Sequence, residues 1–477
     1  MELLSHFPYS MIRSFQKETL TLLEEKWNEY DVFVIVAPTA FGKTAVSKTL
    51  LEAAYKASYI APTNQLVDQF LAAFPNTSTL RRLDSYWCED SQLPCPKVRA
   101  IKKGFCRGCT CGTELARAKY RNGPGVYTYH AYLAHRLYRD VLVVDEAHQL
   151  IPMLQSLGEV ILWRHDYRYN NSSRDGLLKW IQSLPAKKRN GTKLSLLYNT
   201  LISRSPDYAL SVEVREFNGK GTKRGEPEER ECLVLTPTSV KEQGKKMWPH
   251  YVKKIVLMSA TINFKDVEGL GLSDRKVAYL HSPSPIPPER RPFIAQPVCT
   301  VVWNNIEQSA REMANYVDKV LYPRHAGERG LLHVTYQMAD ILRNYLTGSQ
   351  YLFHDRDNKK EVYQRYLSTK GAVLIACGMY EGIDLPDDAG RWQAILKVPW
   401  PSLGDAAISA LATRDNEWYL WETAKKLIQA GGRVSRHEKD YGVTYCLDNS
   451  FMRLYNEGRH LLPKWFLDCL MKGGDSE

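Results

Sequence analysis

No apolar run in this 477-residue chain is long enough to cross a bilayer. The longest, such as Val32–Pro38 and Val141–Val144, fall far short of the roughly 20 residues that a membrane helix needs. Met1–Ser10 lack the charged-then-apolar pattern of a secretory signal. Together these absences give the expectation of a cytoplasmic or nuclear protein with no membrane partner. No internal repeat of short fixed period is present, which argues against a solenoid. An excess of acid is also missing. Lys and Arg number 64 against 53 Asp and Glu, a formal net charge of +11. A surplus of base points to a polyanionic partner, and nucleic acid is the commonest. Hydrophobic residues make up 44% and charged residues 25%, so the chain is not short of core-forming side chains. At roughly 100–200 residues per domain it has room for about two to four domains.

What is present is a rhythm of short β-branched runs: Val32–Val36, Ala57–Ile60, Val141–Val144, Ile255–Met258, Gly330–Val334 and Ala372–Ala376. They are continuously apolar rather than alternating, as strands covered on both faces are. Helical stretches lie between them, which predicts α/β architecture. Polar residues follow nearly every run, where open α/β sheets bind their ligands. Three stretches break the rhythm. Residues 77–127 are cysteine-rich and basic. Residues 151–235 carry helical segments, an alternating stretch at Leu210–Phe217 and a polar loop at Asn218–Arg230. Residues 282–292, Ser-Pro-Ser-Pro-Ile-Pro-Pro-Glu-Arg-Arg-Pro, have the composition of an extended linker.

The strongest local signal is Ala37-Pro38-Thr39-Ala40-Phe41-Gly42-Lys43-Thr44, between the run Val32–Val36 and a helical segment, Ala45–Tyr55. It fits the phosphate-binding P-loop template, except that Ala37 replaces the first glycine. Backbone N–H groups of such a loop and the following helix N-terminus cradle phosphates. Lys43 would reach the β- and γ-phosphates of ATP and Thr44 would hold Mg²⁺. Val141–Val144 then runs into Asp145-Glu146-Ala147-His148. Asp145 is the expected second Mg²⁺ partner, and Glu146 is placed to orient or deprotonate an attacking water.

Asp-Glu-Ala-His is the signature of the DEAH-box branch of superfamily 2 helicases, and further segments resemble that family's motifs in order. Ala61-Pro62-Thr63-Asn64-Gln65 resembles motif Ia, which touches the nucleic-acid backbone. Ser259-Ala260-Thr261 resembles motif III, which links hydrolysis to domain movement. Gly378–Asp384, with Glu381 and Gly382, resembles motif V, and Gln429–Arg436 resembles motif VI. Within the superfamily, Phe7-Pro8-Tyr9, Arg13 and Gln16 resemble the start of the XPD/DinG-like family. So do Trp248 with Ile255–Thr261, and Ser282–Arg290. The resemblance implies two RecA-like motor domains. The first comprises residues 1–76, 128–150 and 236–281, and the second residues 282–477. It implies an iron–sulfur insertion at 77–127 and a small arch-like insertion at 151–235. It also implies that Arg13, Gln16, Asp384 and Gln429 join the loop Ala37–Thr44 in holding ATP. His148, Ser259, Thr261 and Gly382 would couple hydrolysis to movement. Arg433 and Arg436 would reach the γ-phosphate, where phosphoryl transfer needs positive charge.

Five of the ten cysteines crowd between Cys88 and Cys111: Cys88, Cys95, Cys106, Cys109 and Cys111. In a reducing compartment such a cluster suits a metal. The resemblance implies a [4Fe–4S] cluster on four of the five. Cys111 fits the last ligand, because Leu115-Ala116-Arg117-Ala118 resembles the family's exit helix. Cys88 and Cys95 fit the first two, and the choice between Cys106 and Cys109 stays open. Zinc remains the alternative, since Cys106-x₂-Cys109 also suits a tetrahedral site. Ten Lys or Arg and four acids lie between Arg81 and Arg121, interleaved with Tyr86, Trp87, Phe105 and Tyr120. Basic grooves with aromatic platforms hold single strands. Tyr127, Tyr129, His130 and Tyr132 read instead as packing. So does Leu462–Leu467, against the second motor domain.

The expected activity is ATP-dependent DNA unwinding by a monomer that binds single strands and duplex junctions. The 5′-to-3′ direction comes only from the resemblance. DNA repair is one of several pathways compatible with it. A remodeller that strips nucleoprotein without unwinding is the alternative. A nucleic-acid-binding protein with a vestigial ATP site is the second.

Overall fold

The computed structural model describes residues 2–75, 77–81, 85–88, 91–95, 110–120, 123–169, 173–203, 207–217, 228–380 and 385–472. Each apolar run singled out in the sequence is a strand. Val32–Val36, Val141–Val144 and Gly330–Val334 keep their expected bounds. The others are Ala57–Ala61, Lys254–Ser259 and Val373–Cys377, extended or displaced by one residue at an end.

Two seven-stranded sheets form the body of the molecule. The first runs Val277–His281, Val32–Val36, Lys254–Ser259, Val141–Val144, Ala57–Ala61, Gly125–Thr128, Ser78–Leu80, all parallel. Alternate residues of its strands feed two separate cores. Val32, Val34, Val36, Leu142, Val144, Ile255 and Leu257 pack on one face. Phe33, Ile35, Val143, Val256 and Met258 pack on the other. With no face left to solvent, the strands show no polar alternation. The second sheet runs Tyr351–Phe353, Val373–Cys377, Gly330–Val334, Trp392–Ile395, Val443–Asp448, Phe293–Cys299, Leu470–Lys472, again all parallel. Leu462 and Phe466 are buried in its core beside Phe293, so the C-terminal segment packs there as its apolar residues suggested.

The excursions from the first sheet have borders that differ from the sequence-based ones. Ser78–Leu80 and Gly125–Thr128 lie inside 77–127 yet pair with each other in the first sheet, so the cysteine-rich excursion spans 81–124. The second excursion closes later than residue 235. Its strand Glu228–Pro237 lies between Val160–Trp163 and Tyr208–Phe217 in a three-stranded antiparallel sheet. Helices Arg174–Ser183 and Thr192–Ser203 cover that sheet around Leu162, Leu177, Ile181, Leu197 and Leu233. Its strand Tyr208–Phe217 also touches helix Ala406–Arg414 of the second half. Arg414 Nη2 donates to the Thr238 carbonyl at 3.3 Å, so the excursion leans on both halves. Residues 282–292 join the sheets, and their regular part is the short 3₁₀ turn Pro288–Arg290. The linker is anchored rather than free: Ile286 is buried, and Ser282 Oγ lies 2.8 Å from Thr19 Oγ1.

Close approach explains one glycine. Gly330 opens an inner strand of the second sheet, and a Cβ there would overlap the ring of the fully buried Trp392 on the adjacent strand. Gly330→Ala is expected to destabilise the protein by about 1–3 kcal/mol, because the ring has no room to retreat. Chemical unfolding followed by tryptophan fluorescence checks this, and an unchanged midpoint would remove the packing argument.

Candidate nucleotide site between the two sheets

The loop after Val36 is fixed from three sides. Ala37 is buried, and its amide donates to the Ser259 carbonyl at 2.9 Å, extending the strand pairing by one step. The left-handed residues of the loop are Ala40, at φ 67°, and Gly42, at φ 84°. Ala37 is not among them, so alanine at that position carries no backbone strain. Gly42 is required twice over: by its φ, and because a Cβ would sit 2.5 Å from Gln16 Nε2. Helix Lys43–Ala54 begins there, so its N-terminal end adjoins the loop. Gln16 Nε2 donates to the Phe41 carbonyl at 2.8 Å. Arg13 Nη1 donates to the Ala40 carbonyl at 2.7 Å. Arg13 also pairs with Glu438 of the second half, at 3.4 Å.

The acidic group stands opposite. Lys43 Nζ lies 2.6 Å from Glu146 Oε1. Burial opposes the charge on Lys43, but Glu146 and Asp145 outweigh it and hold its pKa above the ordinary value. Glu146 is the complement: burial pushes it up, yet Lys43 and His148 bring it below the usual carboxylate range. Asp145 is raised by burial and by the neighbouring charge of Glu146. Two tyrosines that sequence reasoning missed position these carboxyls. Tyr59 donates to Asp145 Oδ2 at 2.7 Å. Tyr129 donates to the backbone carbonyls of Asp145 and Glu146, the latter at 3.0 Å. Burial and Asp145 keep both phenols well above their ordinary pKa, so they remain donors.

His148 carries the site across to the second half. Its Nδ1 is 2.8 Å from Ser259 Oγ, and Gln429 Nε2 lies 2.7 Å from its Nε2. Gln429 Nε2 also donates to Thr261 Oγ1 at 3.1 Å. Burial lowers the His148 pKa to about 4, so the ring is neutral near pH 7. A neutral ring fits both contacts: Nδ1–H donates to Ser259 and Nε2 accepts from Gln429. Arg433 Nε is held by the Tyr380 carbonyl at 2.9 Å, and Arg436 Nη1 by the Gly432 carbonyl at 2.9 Å.

These groups enclose a cavity of about 680 Å³. Pro38–Lys43, Glu146, His148 and Thr261 line it from the first half, and Gln429, Arg433 and Arg436 from the second. The structure thus brings most of the expected nucleotide residues to one cleft, with Arg13 and Gln16 bracing the loop from behind. Thr44 follows Lys43 in the first helical turn, and Asp145 is buried beside the cavity wall. A carboxylate and a hydroxyl are the hard oxygen donors that Mg²⁺ takes. Gly382 and Asp384 lie outside the described residues, as do Cys106 and Cys109.

Of the other cysteines, Cys88, Cys95 and Cys111 are all buried, and Cys95 Sγ lies 3.1 Å from Cys111 Sγ. Trp87 and Cys88 pair with Leu93 and Pro94 in a small hairpin, and Cys111 stands in helix Thr110–Tyr120. Facing buried thiols on two elements suit soft-metal ligation. The aromatics of this region divide: Tyr86 packs inward and donates to Glu114, whereas Trp87 is 57% exposed. Tyr127, Tyr129 and Tyr132 are fully buried, while His130 is exposed.

Two parallel sheets, with a phosphate-loop sequence after a strand of one and paired arginines on the other, have the arrangement of the RecA-like fold. Family models match both halves: "Type III restriction enzyme, res subunit" over residues 10–167, and "Helicase C-terminal domain" over 331–468. Among solved structures, one named XPD helicase aligns with a TM-score of 0.62 at 16% identity, covering 97% of this chain and 100% of that one. XPD4 of S. tokodaii aligns with a TM-score of 0.58 at 14% identity, covering 96% and 100%. At these identities the likeness is one of fold. Among curated proteins, the regulator of telomere elongation helicase 1 homolog of Aedes aegypti is 39% identical over 17% of this chain and 10% of its own length. The Drosophila melanogaster homolog is 35% identical over 19% and 11%. The matched region thus spans about a tenth of those relatives. The two family models and the XPD structures thus make both halves of the chain similar to helicases of superfamily 2, with the XPD fold over nearly its whole length.

The His148 shift has a pH consequence. Its folded pKa, about 4, lies below the ordinary 6.5, so the unfolded chain binds the proton more readily. The stability this group contributes is complete above about pH 6.5 and is lost as pH falls toward 4. His148→Gln is expected to flatten that part of the acid profile. Thermal melts of both proteins between those limits check it, and parallel acid profiles would contradict it.

Proposed function

We propose that this chain is a DNA-dependent ATPase that steps 5′ to 3′ along single-stranded DNA and opens duplex junctions. The observation that carries the reading is the single cavity holding Lys43 and Glu146 from one sheet, with Arg433 and Arg436 from the other. Neither half contains a complete site, so hydrolysis depends on the two being docked. A phosphate in the cavity would compete with Glu146 for Lys43, because both anions seek the same ammonium. Glu146 released in this way, and held ionised by its cationic neighbours, is suited to orient the attacking water. Mg²⁺, held by Thr44 and Asp145, would neutralise charge on the phosphates. Arg433 and Arg436 would supply the remaining positive charge as the terminal phosphate separates. Gln429, bonded to both His148 and Thr261, would report that separation to motif III.

The test is strand displacement on duplexes with a 5′ or a 3′ tail, using Lys43→Ala as control. Unwinding from the 5′ tail alone is expected, with hydrolysis in Lys43→Ala reduced by about 10³-fold or more. Unwinding from the 3′ tail alone would overturn the direction. Hydrolysis surviving in Lys43→Ala would overturn the site. DNA-stimulated hydrolysis without unwinding would favour the remodeller, a reading to which the compact excursions lend some support.

The cysteine-rich excursion fits a [4Fe–4S] cluster held by Cys88, Cys95, Cys111 and one of Cys106 and Cys109. Cys111→Ser is expected to lose iron and acid-labile sulfide together while the P-loop still binds ATP. Elemental analysis checks this, and stoichiometric zinc in the parent protein would replace the cluster with the tetrahedral alternative.

A further inference from the structure

Outside the cavity, the junction of the two halves buries an ion pair that belongs to no recognised motif. Asp266 lies on helix Phe264–Gly269, directly after Ser259–Thr261. Lys425 lies on helix Asn416–Gly431, which ends at the turn carrying Arg433 and Arg436. Lys425 Nζ is 2.9 Å from Asp266 Oδ1, and the two side chains are only 6% and 2% exposed. Asp266 Oδ2 accepts from Trp421 Nε1 at 2.7 Å and from the Asn263 amide at 3.1 Å. Glu422 gives Lys425 a second carboxylate at 2.5 Å.

We propose that Asp266 and Lys425 are a positioning pair, which sets the register of the motif VI arginines over the nucleotide cavity by locking one helix of each half to the other. The inference rests on the hydrolytic reading above and names residues through which docking controls it. Trp421, Lys425 and Gln429 are spaced four residues apart, so they lie along one face of a single helix. All three touch the first half: Trp421 and Lys425 through Asp266, and Gln429 through His148 and Thr261. Three successive turns therefore hold the helix in one axial and rotational setting. The arginines follow within a few residues. A buried ion pair suits this task better than apolar packing. It is satisfied in one geometry, and it gains little net stability because both charges are well hydrated once separated. A second set of charges, Lys265 with Asp415 and Glu417, each at 3.0 Å, spans the same junction. Its acids are 33% and 45% exposed, so solvent screens it and the buried pair governs.

The experiment compares the full chain with Asp266→Asn, Lys425→Met and Lys425→Arg in two measurements. The first is steady-state ATP hydrolysis with single-stranded DNA. The second is small-angle X-ray scattering without nucleotide. Lys425→Met is expected to lower kcat about tenfold while KM for ATP changes by about twofold or less, since the P-loop contacts remain. It should also broaden the scattering envelope. Lys425→Arg is expected to recover both within about threefold. Asp266→Asn keeps side-chain volume and serves the same comparison if Lys425→Met does not fold. Parent-like kcat and scattering in Lys425→Met or Asp266→Asn would overturn the pair, as would a loss of kcat that Lys425→Arg leaves unrelieved. A parent protein that hydrolyses no ATP, yet opens on Lys425→Met, would remove the hydrolytic reading and leave the pair as the docking element.

Discussion

The parallel register of three neighbouring strands is the constraint on which the site depends. Val36 stands opposite Ser259, and Leu257 opposite Val144, so the three strands end at one edge of the sheet. The loops that leave that edge are the P-loop, Ser259–Thr261 and Asp145–His148. Two of these loops continue the pairing before they turn: the Ala37 amide bonds to the Ser259 carbonyl and the Asp145 amide to the Ile60 carbonyl. A slip of one residue would exchange the two buried faces of a strand and move its loop out of reach. Packing in the two cores thus sets the positions from which Lys43, Glu146 and His148 make their contacts.

This explains which parts could be read from sequence. Buried parallel strands announce themselves as apolar runs, and the loops after them carry residues with little other reason to be there. The borders of the excursions were harder. Ser78–Leu80 contributes one buried residue among two half-buried polar ones, so no apolar run marks it as a member of the sheet. Glu228–Pro237 begins among charges and becomes apolar only past its middle. Tyr59 and Tyr129 look like packing residues, which they also are. Their roles at Asp145 and Glu146 come from adjacency between strands. Asp266 and Lys425 are 159 residues apart, and no local pattern joins them.

Departures from the P-loop template have a similar origin. A template position calls for glycine only where φ is positive or a neighbour comes too close. Ala37 meets neither condition, whereas Gly42 meets both, with Gln16 as the neighbour. The strain falls instead on Ala40, whose carbonyl accepts from Arg13. The N-terminal helix therefore helps hold the conformation of the loop as well as standing beside the nucleotide cavity.

The two halves meet through polar contacts, and this bears on how a motor could work. Each described apolar core belongs to one half: those around Val34 and Phe33 end before the linker, and those around Leu332, Ile395 and Leu374 begin after it. The junction between them holds Gln429 with His148 and Thr261, Lys425 with Asp266, and Arg13 with Glu438. Separating two halves joined by an apolar core would cost about 25 cal/mol for each Å² exposed. Hydrogen-bonding and charged groups recover most of their loss from water. An interface of this composition is specific when closed and inexpensive to open. Binding and release of a single phosphate anhydride could then drive it in both directions, without melting either domain.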